Sequence, residues 1–255
     1  MIAPPSVERT SGLDAALGRG RLHVAVKFHA PPEEGFAPEY YRDPASGRPS
    51  GVVCEMMRQM AADLGVDPEP RWVEIEGTWQ DQFDALQAGE VDLVPKPTNT
   101  PTRALSAEFA GRLLPYNVVC LVHKPATLRT VDDVNRPNVR VAFTAGSSNE
   151  FVCRKHFPRA QMVPTDIKAD VLDQDRADVF VSAPIARRYL ELKQHLRPLQ
   201  DSAGRALVLS REYAHPAVRS GDQRFLNWIN NWLDYHEVQG TFSALLKQWH
   251  DCLLE

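Results

Sequence analysis

The residue types best suited to binding chemistry are concentrated in one stretch, Asp92-Leu93-Val94-Pro95-Lys96-Pro97-Thr98-Asn99-Thr100-Pro101-Thr102-Arg103. Its apolar start predicts a buried strand ending at Val94, and Thr100-Pro101 predicts the N-cap and first position of a helix. A helix start offers free amide groups and a positive dipole end. Arg103 adds a planar fork suited to two carboxylate oxygens, and Lys96 adds a compact positive charge. The expected chemistry is anion recognition. The plainer alternative leaves Arg103 and Lys96 as solvated surface charges.

These groups need elements to hold them. Residues 1–20 carry Pro, Ser and Gly and are expected to form an arm ending in a short helix. Residues 22–26 then predict a strand stopping at Lys27-Phe28-His29-Ala30-Pro31-Pro32. The carboxyl end of a strand is where open α/β sheets place ligand groups. Gly51 precedes a helix of about a dozen residues with Val53, Met56, Met57, Met60, Ala61 and Leu64 on one face and Gly65 as its stop. The methionines are assigned to the core. A strand over 71–75, a helix from Thr78-Trp79 to Gly89 and a strand over 92–94 complete a strand–helix–strand–helix–strand order, which predicts a parallel sheet with crossovers.

A second unit follows the same plan. Residues 113–122 are apolar and extended, and a strand over 139–143 ends at Thr144-Ala145-Gly146-Ser147-Ser148-Asn149-Glu150. There small residues and hydroxyls meet a helix running to about His156, a second start favourable to anions. A strand over 161–163, a helix over 167–172 and a strand over 178–181 follow. Beyond Arg205 an extended stretch over 206–209 leads to two helices, 223–237 and one from Thr241, whose aromatics at helical spacing are assigned to the core.

Composition narrows the function. With 43% apolar and 24% charged residues the chain reads as a soluble globular protein, and a net charge of -4 without any basic stripe excludes a nucleic-acid partner. No apolar run reaches membrane-spanning length. The N-terminus lacks a basic start followed by an apolar stretch, so the expectation is a cytoplasmic protein, or a periplasmic one whose signal peptide was removed. Cys54, Cys120, Cys153 and Cys252 lack Cys-x-x-Cys spacing and are expected as free thiols, one disulfide being the alternative. The eight histidines show no paired ligand spacing, and no glycine-rich phosphate loop or nucleophile elbow is present. Neither a metal nor a cofactor is expected.

A chain of motifs in fixed order carries a resemblance: Gly51 with its helix, Trp79 before Leu86-Gln87-Ala88-Gly89-Glu90-Val91-Asp92, Thr98-x-Thr100-x-x-Arg103, Phe109, Pro115-Tyr116, Gly146-Ser147-Ser148, Ala177-Asp178, Gly240 and Trp249. Over about residues 22–249 the sequence resembles the type II periplasmic solute-binding proteins of the polar amino-acid class. The resemblance implies a two-lobed α/β fold with two hinge crossovers, closing on a small ligand and serving the permease of an ABC-type transporter as a monomer. Lobe 1 is expected over 21–115 and 206–255 and lobe 2 over 116–205. Carried over position by position, Arg103 would clasp a ligand carboxylate with Thr98 and Ser148, and Trp79 would line the pocket.

Two departures from that family bear on the ligand. Amino-acid binders of this class place acidic residues where this chain has Lys27 and Ala183, so an ammonium group would lack its partner. Lys27, Lys96 and Arg103, with Ser147 and Ser148, instead suit a small anionic ligand with two acidic groups. The second lobe also resembles the cyclohexadienyl dehydratases in Gly146-x-Ser148-Asn149-Glu150 and in Ile185-Ala186-Arg187-Arg188. The glutamate that acts there as general acid aligns with Ala186, which transfers no proton. A binding protein without catalytic residues is the first expectation, and a cytoplasmic lyase on the same fold with altered catalytic residues is the alternative. Glu55 and Glu150 are its only candidate acids.

Overall fold

The computed structural model describes residues 10–165 and 170–254. The start of the expected arm and part of the helix expected over 167–172 lie outside them. Helix α1 (Gly12–Arg19) is capped by Ser11 and stops at the left-handed Gly20. It is tied to the strand that follows by Asp92, a buried carboxylate that accepts from Arg19 at 2.5 Å and from the His23 amide at 2.8 Å. Strand β1 (Arg21–Val26) leads through a short hairpin of β2 (Tyr41–Arg42) and β3 (Pro49–Ser50) into α2 (Val52–Asp63). The apolar face expected on α2 is buried at Val53, Met56, Met57, Met60 and Ala61, each larger side chain contributing about 1.5–3 kcal/mol. Strand β4 (Asp67–Glu74) pairs with β1 in parallel, and α3 (Trp79–Ala88) begins with a capping box between Thr78 and Asp81.

Gly51 is required where α2 starts. Its φ is +114°, and a Cβ there would meet the Glu39 carbonyl oxygen at 2.5 Å. That close approach lets the amides of Val52 and Val53 donate to Pro38 O at 2.8 Å and Glu39 O at 2.9 Å. The otherwise irregular segment around Glu39 is thereby fixed to the N-terminus of a buried helix.

Two expectations fail in the stretch from Asp92 to Arg103. The third strand is reduced to single bridges, Leu93 to Val24 and Val94 to Ala217, because Pro95 and Pro97 withhold the amides a ladder needs. No α-helix starts at Thr100-Pro101: the chain makes one 3-10 turn, Arg103–Leu105. The next strand, β5 (Ala107–Phe109), begins two residues later, so a full helix has no room.

Strand β6 (Leu114–His123) enters the second lobe, where residues 118–122 are all buried, as in a sheet covered on both faces. It is followed by α4 (Val131–Val134), β7 (Arg140–Thr144), α5 (Asn149–His156), β8 (Gln161–Thr165), α6 (Asp170–Asp173), β9 (Val179–Ser182), α7 (Arg187–Leu192) and β10 (Leu196–Pro198). The strand order is β10-β6-β9-β7-β8; β7 is parallel to both β8 and β9, and β6 is antiparallel to β9 and β10. Strand β11 (Val208–Ala214) returns antiparallel to β6, placing Glu212 opposite Tyr116. It runs further than the expected 206–209 stretch because β6 offers a long partner.

Strand β12 (Ala217–Arg219) then pairs with β5, and α8 (Gln223–Gln239) and α9 (Ser243–Cys252) pack on the first lobe, burying Phe225, Ile229, Trp232 and Trp249. The molecule is therefore two α/β lobes joined through β6 and β11. The chain then touches the second lobe again: Leu254 N donates to Ile185 O at 2.8 Å, Arg187 Nε donates to Leu253 O at 2.7 Å, and Leu253 bridges Ala186. All four cysteines are free, and no helix among the described residues is long and apolar enough to cross a membrane.

Candidate ligand-binding cleft

Between the lobes lies a cavity of about 200 Å³, continuous in its lining with a smaller one of about 50 Å³. The structure brings the expected residues together here. Lys27, Trp79, Lys96 and Ser147 line the larger space, and Trp79, Lys96, Thr98, Arg103, Ser147 and Ser148 line the smaller. Ala183 and Ala186, which with Lys27 are the positions that depart from the family patterns, also face the larger cavity.

Arg103 spans the cleft. Its Nη1 donates to Thr98 O and its Nη2 to Gly146 O of the opposite lobe, both at 3.0 Å, while its plane sits 5.6 Å from the Phe83 ring centre. Burial lowers its pKa, an effect the nearby Tyr116 and Glu212 oppose; a guanidinium remains charged regardless. Thr98 shares a short hydrogen bond with the Tyr116 hydroxyl, and the Ser148 hydroxyl donates to Glu212 Oε2 at 2.8 Å and to Thr98 Oγ1 at 3.3 Å. Burial and the adjacent Glu212 raise the Tyr116 pKa, so this phenol stays protonated. Arg103 makes no ion pair among the described residues, and its two backbone contacts leave further N–H donors for an oxyanion.

Lys96 departs from expectation. It is not an unpartnered cation: its ammonium forms a buried ion pair with Glu39 and lies 5.3 Å from the Tyr40 ring centre and 5.9 Å from that of Trp79. The Glu39 side chain is only 3% exposed and also faces His29 Nε2 at 3.4 Å. Burial alone would push the Glu39 carboxyl up, but Lys96 and then His29 outweigh it, and the pKa is lowered to about 2. Glu39 Oε1 accepts no hydrogen bond among the described residues. Lys27 is held by the Gly77 carbonyl and makes no ion pair among the described residues.

The second lobe contributes the turn between β7 and α5. Ser147 Oγ donates to Thr144 O at 2.6 Å, and α5 starts at Asn149, which faces both cavities. Gly35, with φ +91°, comes so close to α7 that a Cβ would lie 2.9 Å from Tyr189 Cα. The two candidate acids of the enzyme alternative face neither cavity: Glu55 pairs with Arg58 at 2.7 Å and Glu150 with Arg154 at 2.8 Å.

Sequence reasoning missed Glu39 and Glu212; His29, read as a partly exposed histidine of the first ligand loop, lines the larger cavity beside Glu39. Glu39 lies in a turn-rich segment without periodicity, and its one signal was Gly51, whose bare backbone allows the approach. Glu212 stood in no motif and is placed by the β6–β11 register.

The sequence profile of the bacterial extracellular solute-binding proteins, family 3, matches residues 32–251. A relative in Escherichia coli (strain K12), YhdW, named for an amino-acid ABC transporter-binding role, is 27% identical over 231 residues, covering 85% of this chain; the chain spans 63% of that relative's length. The cyclohexadienyl dehydratase of Pseudomonas aeruginosa is 23% identical over 274 residues, covering 98% of this chain and 90% of that protein. Among solved structures, an ancestral amino acid-binding protein, AncCDT-1, described as a precursor of cyclohexadienyl dehydratase, superposes with a TM-score of 0.75 at 25% identity, covering 94% of this chain and 99% of its own.

Proposed function

The chain belongs to the bacterial extracellular solute-binding proteins, family 3, and on that premise we propose that its cleft captures a small anionic carboxylate for the permease of an ABC-type transporter. The observation that carries this is Arg103, a half-buried guanidinium held by a carbonyl from each lobe and left without a carboxylate among the described residues. A ligand carboxylate at Arg103, with Thr98 and Ser148 beside it, ties ligand binding to closure of the lobes. Trp79 covers the ligand. The protein works as a monomer outside the cytoplasmic membrane.

The cleft's charges refine the ligand. Lys27, Lys96 and Arg103 face the cavities against one lining carboxylate, Glu39, whose charge Lys96 already balances. A ligand ammonium at Glu39 would compete with the Lys96 ammonium already paired there. The ligand carries net negative charge, with one acid group at Arg103 and, in a di-acidic ligand, the second at Lys27.

The lyase alternative has the dehydratase relative in its favour, but no carboxyl lining the cleft is placed to give a proton. Ala186 stands at the acid's position, and Glu39, held ionised far below neutral pH by Lys96, has no proton to give. A thermal-shift screen against dicarboxylates, aromatic carboxylates, phosphorylated acids and amino acids, with mass analysis of each hit, separates these outcomes. A ligand at a hundred times its dissociation constant stabilises the native state by about 2.7 kcal/mol. Stabilisation by an anion recovered unchanged is the expected result. Consumption of the anion would mean an enzyme, and stabilisation by cationic amino acids alone would overturn the charge assignment.

A further inference from the structure

In the second lobe, outside the lining of the cleft, three side chains far apart in sequence converge. His123 ends β6 and pairs across the ladder with Leu196, which sets His195 beside it; Asp173 ends α6 and lies against both. The two imidazole rings stack with centres 5.5 Å apart and planes 29° apart. His195 Nε2 is 2.7 Å from Asp173 Oδ1, and His123 Nε2 is 3.1 Å from Leu172 O. One ligand atom from each of the three residues lies within 4.8 Å of the others.

We propose that His123, Asp173 and His195 form a site for one divalent transition-metal ion of the zinc class. Two imidazoles and a carboxylate are a borderline donor set that suits zinc or cobalt, whereas magnesium and calcium favour shells of oxygen. In a tetrahedral zinc site with bonds of about 2.0–2.2 Å, ligand atoms stand about 3.3–3.5 Å apart. Donors at the 4.8 Å limit therefore close by about 1.5 Å, and the 2.7 Å pair of His195 Nε2 and Asp173 Oδ1 opens by about 0.6 Å, within the reach of side-chain rotation for Asp173 and His195, which are both exposed. Water completes the shell.

The carboxylate is already oriented for the task. Lys193 Nζ holds Asp173 Oδ2 at 2.8 Å, leaving Oδ1 turned toward His195; a fixed outer partner of this kind sets the direction of a metal ligand. Its ammonium opposes the ion's charge, so the site binds more weakly than a closed four-ligand one. The site is separate from the ligand cleft. None of the three donors lines either cavity, and Leu121, which pairs with the cleft residue Phe180, is two residues back along β6, or about 7 Å at the rise of a strand. The ion pins α6 to the sheet without entering the ligand's pocket.

The test uses the tag-free full chain, stripped with a chelator and titrated with zinc, with cobalt as a spectroscopic probe and magnesium as the control. Zinc binding near one ion per chain, a visible cobalt spectrum and a rise in melting temperature with zinc but not magnesium are expected. His195→Gln and Asp173→Asn, both at exposed positions, should each abolish all three while keeping the wild-type circular dichroism and metal-free melting temperature. Arg103→Ala should retain all three. Equal zinc binding by His195→Gln and Asp173→Asn would overturn the proposal, as would no binding by the wild type at about 100 µM zinc.

Discussion

Replacing Glu39 with Gln tests the charge arrangement of the cleft most directly. The substitution keeps the shape but leaves the Lys96 ammonium, whose side chain is 10% exposed, without its counter-charge. Removing one partner of a buried pair costs about 3–5 kcal/mol. The lowering of the Glu39 pKa by Lys96 and His29, from an ordinary 4.5 to about 2, corresponds at about 1.4 kcal/mol per pH unit to a figure on the same order, about 3 kcal/mol. For a protein of this size each kcal/mol moves the melting temperature by about 2–4 °C, so a fall of about 6–12 °C at neutral pH is expected. Because the folded-state value lies below the unfolded one, this stability is complete above pH 4.5 and is lost as the pH falls toward 2. The assay is the melting temperature of wild type and Glu39→Gln from pH 7 to pH 2.5. The gap should be full at neutral pH and narrow on acidification, while affinity for the anionic ligand at pH 7 rises in the variant. A gap below 2 °C at pH 7, or one that does not change with pH, would refute the pairing of Glu39 with Lys96 as a stabilising element.

Other outcomes follow from the same geometry. Arg103→Ala should weaken an anionic ligand by about 2–5 kcal/mol, read by calorimetry, since it removes the partner of a desolvated charge. Gly35→Ala should hinder closure, because it forces a side chain toward α7 at a positive φ that itself costs roughly 1–2 kcal/mol; ligand-bound scattering profiles should show a more open molecule than wild type. Trp249→Ala should cost about 3–5 kcal/mol in denaturant unfolding, since this fully buried indole also donates to Pro115 O at 2.7 Å at the start of the crossover strand.

The parts of the molecule legible in the sequence were those with a period or a cap. The buried face of α2, the run of α3 from Trp79 to its stop at Gly89 and the aromatic stripes of α8 and α9 each declare themselves through spacing that a helix imposes or the glycine that ends it. The gathering of Lys27, Trp79, Thr98, Arg103, Ser147 and Ser148 around one cleft was visible only through motif order, because it depends on two lobes folding toward each other. What escaped was set by tertiary contact. The turn at Arg103 looked like a helix because Thr100-Pro101 is sound local chemistry, yet the start of β5 leaves no length for one. Lys96 looked unpartnered because Glu39, far earlier in the chain, reaches it through a segment with no repeat of its own.

The return of Leu253 and Leu254 to the second lobe makes the lobe-to-lobe connection a matter of time as well as of affinity. These residues form a further tie, beside the two strands of the hinge and the hydrogen bonds of Arg103 to Gly146 and Ser148 to Thr98, and it exists only while Ile185, Ala186 and Arg187 stand next to them. Two strands alone act as a free door; a breakable tie away from the cleft acts as a catch. A catch that holds the closed form without ligand raises the competent fraction and so the apparent affinity. Under the proposed function the same catch slows departure, so that two leucines lining neither cavity help to set how long a captured solute stays.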